Sequence, residues 1–236
     1  YPKRVMVIAS LVGILGMGGI FLIRVDTNIE GYFLGKSKVA RGIELINGKL
    51  GGSQFMSILF TGDVLSPELL KRMESYEKIL LEDPAVGNVS SPLTLVKELS
   101  KGFYEPGEKG YGEIPETENE VYQFLEIFSM GGNEETMEQF VDYYYENSRL
   151  LVSLKDASND EGKRLLKKMQ DMTRDDPAVK YIAGPTLTKI ELADMVIRGQ
   201  IKSLLLAMGV VFLLLALIYR NYRAGLLSVL PLSVAI

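Results

Sequence analysis

Hydrophobic and polar positions divide this chain into three regimes. Residues 5–23 form a run of nineteen without a charge, residues 201–219 a second broken only by Lys202, and residues 224–236 open a third. At 1.5 Å per residue the first run spans about 28 Å, close to the roughly 30 Å of bilayer hydrocarbon. A helix of a soluble core keeps a polar stripe, and these runs have none. The pattern predicts transmembrane helices at 1–24 and 201–219, and the start of a third, truncated one at 224–236. A cleaved leader is a rival for the first run alone. That run is longer than a usual leader core and lacks a small-x-small cleavage site.

Between the runs the periods become those of strands and amphipathic helices, and they occur twice. Asp83-Pro84-Ala85-Val86 returns as Asp176-Pro177-Ala178-Val179, an offset of 93. The same shift carries Ser91-Pro92-Leu93 onto Gly184-Pro185-Thr186, and Met73, Tyr76 and Ile79 onto Leu166, Met169 and Met172. It also carries Ser66 onto Asn159, both good helix caps. Each copy reads strand, helix, strand, helix. In the first, 54–61 is a strand and Ser66-Pro67 starts a helix. Leu69, Met73, Tyr76 and Leu80 line one face of that helix, and Asp83-Pro84 ends it. A strand follows at 86–90, then a helix from Pro92 to about Leu99. In the second copy the strands are 149–154 and 179–183, with Leu165, Met169 and Met172 on the helix between them. Pro185 opens a last helix that runs unbroken into the 201–219 segment. A strand–helix–strand unit cannot bury its own face, so the copies should pack together. The expected fold is an α+β exterior domain of two βαβ(α) repeats, a ferredoxin-like sandwich flanked by transmembrane helices. Its parts are repeat one at 51–100, a helical insertion at 102–147 and repeat two at 148–200. Residues 28–50 lead in, helical from about Ser37. Within the insertion, 103–116 reads as a mobile loop. Residues 118–128 and 134–145 read as two helices around Gly131-Gly132.

Charge sets the orientation. All 30 acids lie between Asp26 and Asp194. Arg220 and Arg223, in the short turn between the second and third runs, place that turn in the cytoplasm, and Lys3 and Arg4 put the N-terminus on the same side. Residues 25–200 then face outward, with 30 acids and 20 of the 26 bases, a net charge of −10. That balance argues against nucleic acid as a partner and against strong docking of the domain on anionic headgroups. With no Cys and no His in the sequence, disulfides, His- or Cys-built zinc sites, and Ser–His or Cys–His catalysis are excluded. The first residue is Tyr rather than Met and the last lies inside an apolar run, which reads as a fragment of a longer membrane protein.

Candidate chemistry is sparse. Tyr143-Tyr144-Tyr145 suggests a stacking platform, but a helix splays three consecutive residues, and packing accounts for them. Met73, Met169 and Met172 have the spacing of a core face rather than of an adaptable ligand surface. Gly13, Gly16, Gly18 and Gly19 mark a close helix–helix contact. Asn88-Val89-Ser90 matches a sequon that is common by chance. Asp171, Asp175 and Asp176 lack calcium-loop spacing and read as a solvated helix end. No catalytic, cofactor-binding or metal-binding residue is nominated, the substrate-binding residues are not identified, and no acid lies in an apolar run to relay protons. The chain reads as a non-enzyme without cofactors.

The order of these features resembles the opening of the resistance–nodulation–division (RND) superfamily, in its MmpL and hopanoid-transporter branch. The resemblance rests on the helix, the duplicated exterior domain, the continuous returning helix, and then Tyr219-Arg220-Asn221-Tyr222-Arg223 and Leu226-Leu227-Ser228-Val229-Leu230-Pro231-Leu232. Gly51-Gly52-Ser53 before the first strand, Ser90-Ser91-Pro92-Leu93 after the first unit, and residues 147–155 fit the same pattern. The resemblance implies a proton-driven exporter in a prokaryotic plasma membrane, multi-pass, with a porter domain that accepts a lipid or another hydrophobic small molecule. It implies as partners the bilayer and the remaining transporter helices or a second copy. It also implies that the proton-relay acids belong to a later helix. The alternatives are a transmembrane receptor with an exterior sensor domain, or a membrane protein with a protein-binding ectodomain. A receptor should continue into a charged helix after its second span, whereas this chain turns within five residues into another apolar run.

Overall fold

A computed structural model of the protein describes residues 37–155, 158–223, 225 and 226. The apolar run at 5–23, with its glycines, and nearly all of the run at 224–236 lie outside the described residues. The chain separates into two compact units, one ending at Ile190 and the other resuming at Glu191.

The first unit begins with α1 (Lys38–Lys49), capped where the sequence predicts, with Ser37 Oγ accepting from Ala40 N–H at 3.0 Å. Then follow β1 (Gln54–Thr61), α2 (Pro67–Leu81), β2 (Val86–Ser90), α3 (Pro92–Phe103), α4 (Glu118–Phe128) and α5 (Glu134–Met137). β3 (Asn147–Leu154), α6 (Asn159–Thr173) and β4 (Val179–Ala183) come next, and α7 (Pro185–Ile218) leaves the sheet. The four strands form one sheet in the order β2-β3-β1-β4, antiparallel at each junction. β1 and β3 start 93 positions apart, as do β2 and β4, so the sequence offset is kept in the strand boundaries.

Alternation along the strands decides which face is covered. Met56, Ile58 and Phe60 of β1 and Leu150, Val152 and Leu154 of β3 point to one side and are buried. Leu70, Met73, Tyr76 and Leu80 of α2, Leu93 and Val96 of α3, Leu125 of α4, and Leu165 and Met169 of α6 close over them. Phe55 and Tyr181, on the opposite side, stay exposed. Met73 and Met169 are thus core residues, as their spacing predicts.

The Gly51-Gly52-Ser53 segment has a physical reason. The backbone entering β1 crosses the end of β2 so closely that a Cβ on Gly87 would lie 1.8 Å from Gly51 O, and one on Gly52 would lie 2.0 Å from Leu154 O. Gly52 also takes a φ of +123°, open to glycine and strained for other residues.

Four expectations need correction. The second helix of the insertion stops at Met137 instead of running to Tyr145. Phe140 and Val141 leave the helical path to bury themselves with Val64, and Val141 bridges Ser148 beside β3. Asp142 then organises a turn, its carboxylate accepting from the backbone N–H of Glu146 and Asn147 at 2.8 and 2.9 Å, which competes with helix continuation. The cap of α6 is Ser158, whose Oγ accepts from Glu161 N–H, and not Asn159. α3 runs past Leu99 to Phe103, where the Phe103 ring stacks on Phe124 at 5.3 Å. Asp176 is not a solvated helix end, for the reason given next.

Candidate functional site

The two halves of the sheet domain are tied by a reciprocal pair of aspartate clamps. Asp83, in the loop after α2, has a side chain only 4% exposed. Arg164 of α6 grips it with both arms of its guanidinium, at 2.9 and 2.7 Å. Lys168 adds a third contact at 3.0 Å, and Ala85 N–H a fourth at 3.2 Å. Asp176, in the matching loop after α6, is held in turn by α2: Arg72 Nη1 donates at 2.6 Å and Tyr76 Oη at 2.7 Å. Arg72 and Arg164 each stand six residues beyond their helix caps, Ser66 and Ser158. Tyr76 and Lys168 each stand ten beyond. Each half therefore holds the other's Asp-Pro loop with an arginine and the residue one turn later.

Electrostatics follow this geometry. The Arg164 hydrogen bonds outweigh burial and hold the Asp83 carboxyl well below the usual carboxylate range. Asp83, and then Glu161 behind it, raise the Arg164 guanidinium. Burial pushes the Asp176 carboxyl up, but the bonds from Tyr76, Ala178 N–H and Arg72 prevail and its pKa falls. Burial, and then the bond to Asp176, push the Tyr76 phenol up to about 12. Beside this second clamp lies a cleft of 300 Å³ lined by Arg72, Tyr76, Asp171, Met172, Asp175 and Pro177, so the seam between the halves is open to solvent there.

Two further cavities belong to the insertion. One of 660 Å³ lies between the α2–α3 surface and the loop after α3. Its charges pair across it: Lys97 with Glu74, Lys109 with Glu116 at 2.8 Å, and Tyr104 Oη with Glu120 at 2.6 Å. The other, of 360 Å³, is lined by Tyr122, Glu126, Met137, Asp142, Tyr143 and Tyr145. The tyrosine triplet is not helical and does not pack as expected: Tyr145 packs against the core and lines this cavity with Tyr143, whereas the Tyr143 and Tyr144 rings meet edge-on at 5.3 Å and are both exposed. Among the described residues no three acid, His or Cys side chains are grouped to hold a metal.

Residues 201–218 belong to α7, a continuous helix of 34 residues that begins at Pro185 on the sheet domain. Thr186 Oγ1 donates to Phe55 O at 3.0 Å, and Ile190 packs so tightly on Gly162 that a Cβ there would lie 2.9 Å from Ile190 Cδ1. By length and composition α7 can cross a membrane, and it is the one such helix among the described residues. It ends in a Schellman turn, with Arg220 N–H donating to Leu217 O and Asn221 N–H to Ala216 O, and Arg220 at φ +48°. Asn221 Oδ1 then accepts from Arg223 N–H, and the chain re-enters a helix in which a Cβ on Gly225 would lie 3.0 Å from Phe212 O. The Arg–Asn–Tyr–Arg turn is therefore a reversal of direction.

Compared with known protein families, residues 82–236 match the MMPL family. The chain belongs to the MMPL family. MMPL proteins are RND-type membrane transporters rather than enzymes, which places this chain in a membrane and in transport. The MMPL match takes in both Asp-Pro loops, the insertion, the second half of the sheet and α7. Residues 37–81 precede it, yet they are one structure with it: β1 lies between β3 and β4, and α2 supplies Arg72 and Tyr76 to Asp176. No curated protein matches the chain.

Sequence reasoning missed the clamps. The Asp-Pro repeat was visible, but its partners lie on the other half, about one repeat length away. The available signal was the equal spacing of Arg72 and Arg164 from their caps.

Proposed function

We propose that residues 25–200 form the extracytoplasmic porter domain of an RND exporter that moves an apolar or amphipathic, lipid-like molecule and is driven by protons. The protein would be multi-pass in a prokaryotic plasma membrane, with 1–24, 201–219 and 224–236 as membrane segments. Further transporter helices or a second copy would complete the path. The two halves of the sheet are then a duplicated βαβ unit in ferredoxin-like order, and the seam between them is where cargo enters. No acid follows Asp194, so the proton-carrying groups lie outside residues 195–236.

One observation carries this reading: α7 is a single helix from Thr186, which bonds Phe55 of the other half, and Ile190, which packs on Gly162, through the apolar segment to Ile218. A change in its tilt transmits directly to the sheet domain. Family membership disfavours the receptor reading. The test is a Gly–Gly insertion after Gln200 in the full-length exporter, reconstituted in sealed vesicles with an imposed proton gradient. Export of a fluorescent lipid should be lost while the circular dichroism of the domain is unchanged. Undiminished export would contradict the coupling.

A further inference from the structure

The acidic character of residues 25–200 is concentrated in one stretch. Between Lys109 and Arg149 the chain holds ten acids and no base, whereas the remaining 20 acids and 20 bases balance. The insertion therefore carries the whole net charge of −10. A cleft lined by charge of one sign focuses the field and concentrates counter-ions. The 360 Å³ cavity is such a cleft: Glu126, Glu134, Glu138 and Asp142 line it with Tyr122, Tyr143 and Tyr145, and no Lys or Arg does. In the other two cavities acids are paired with bases, Glu74 with Lys97, Glu116 with Lys109 and Asp176 with Arg72. Two aromatic rings meet at one of the four carboxylates. Tyr122 and Glu126 stand four positions apart on α4 and share a face. Tyr145 returns to them from the turn before β3. Its ring meets the Tyr122 ring at 69° with 5.9 Å between centroids, and its Oη donates to Glu126 at 3.2 Å. Burial, and then the bond to Glu126, push the Tyr145 phenol up to about 12, so it stays neutral and keeps donating. Glu134 and Glu138 are exposed, and neither has an ion-pair partner among the described residues.

We propose that this cavity binds a soluble organic cation with a compact alkylammonium head, held against the Tyr122 and Tyr145 rings with Glu126 as its counter-charge. The ring quadrupole attracts such a head, and the fixed carboxylate adds a full charge beside the rings. A bare metal ion is a poorer match, because among the described residues no three acids are grouped to ligate one. An alkylammonium head spreads its charge over methyl or methylene groups and needs no closed shell of oxygen ligands. Those groups find apolar cover on the rings and on Met137, which also lines the cavity. The volume of 360 Å³ lies at the lower end of the roughly 300–1,000 Å³ typical of small-molecule pockets. The site lies wholly within the insertion and holds whether or not the protein exports a lipid.

The full-length protein in maltoside micelles, which carry no ammonium group, is titrated with choline chloride in a calorimeter. The uncharged tert-butyl isostere of choline and calcium chloride are the comparison titrants. Choline should bind, and neither comparison titrant should displace it. Tyr122→Leu should weaken choline about fivefold and Glu126→Gln about tenfold, while Glu116→Gln in the 660 Å³ cavity should leave it unchanged. Tyr122 is 41% exposed, and the amide of Glu126→Gln still accepts from Tyr145, so both variants should keep the circular dichroism of the parent. Absence of choline binding would overturn the proposal. Equal binding of the isostere would also overturn it, since the pocket would then be merely apolar. So would displacement of choline by calcium, which would mark a metal site, or an affinity unchanged in both variants, which would place the choline elsewhere.

Discussion

Replacing Asp83 by Asn removes the charge at the more buried clamp while keeping its shape and its bond from Ala85 N–H. The loss is the charge-assisted part of two Arg164 contacts and one Lys168 contact. Hydrogen bonds to charged groups contribute about 1.5–3 kcal/mol, and breaking a fully buried pair costs about 3–5 kcal/mol. Arg164 is 44% exposed and regains water, so the upper range does not apply. The expected cost is about 2 kcal/mol, or roughly thirty-fold in the unfolding equilibrium of the sheet domain. Urea unfolding of the detergent-solubilised protein, followed by circular dichroism, measures it. The sign of the pH dependence is fixed. The folded carboxyl titrates below its ordinary value of about 3.9, so its contribution is complete above that pH and drains away as pH falls through the folded pKa. The gap between parent and Asp83→Asn should therefore close in acid. Adding Arg164→Met to Asp83→Asn should cost far less than Arg164→Met alone. Equal costs in both backgrounds would refute the clamp.

Tyr76→Phe deletes one donor to Asp176 and should cost about 1 kcal/mol in the same assay. In the parent, spectrophotometric titration should find two tyrosines ionising near 12, Tyr76 and Tyr145, and in the variant one. Gly87→Ala puts a methyl 1.8 Å from Gly51 O, so the β1 lead-in must shift. It should destabilise the domain by about 1–3 kcal/mol, whereas Gly102→Ala, with open space around it, should be tolerated.

The strands were legible as short apolar-rich runs, and β2 and β4 also because Asp-Pro precedes and Pro follows each; β3 starts at Asn147, two residues before the expected Arg149. The start of α1 was legible from Ser37. The end of α5 was not, since residues 134–145 hold no Pro or Gly, and tertiary burial of Phe140 and Val141 overrides local propensity. The role of Asp176 was hidden for a related reason. Its partner Arg72 lies 104 positions earlier, and the one trace of that contact in the sequence is the equal spacing of Arg72 and Arg164 from their caps. Of the tyrosine triplet, sequence showed neither its departure from the helix nor that Tyr145 would turn inward at φ +58° to donate to Glu126 at 3.2 Å.

The central claim is that the sheet domain and the Tyr219–Arg223 turn lie on opposite sides of a membrane. Residues 1–236 hold no Cys, so, with any Cys elsewhere in the protein replaced by Ser, Ser75→Cys on α2 and Asn221→Cys in the turn can be compared in intact cells with a membrane-impermeant maleimide. The account predicts that Ser75→Cys is labelled in intact cells and that Asn221→Cys is labelled only after permeabilisation. Labelling of both in intact cells, or of Asn221→Cys alone, would contradict it.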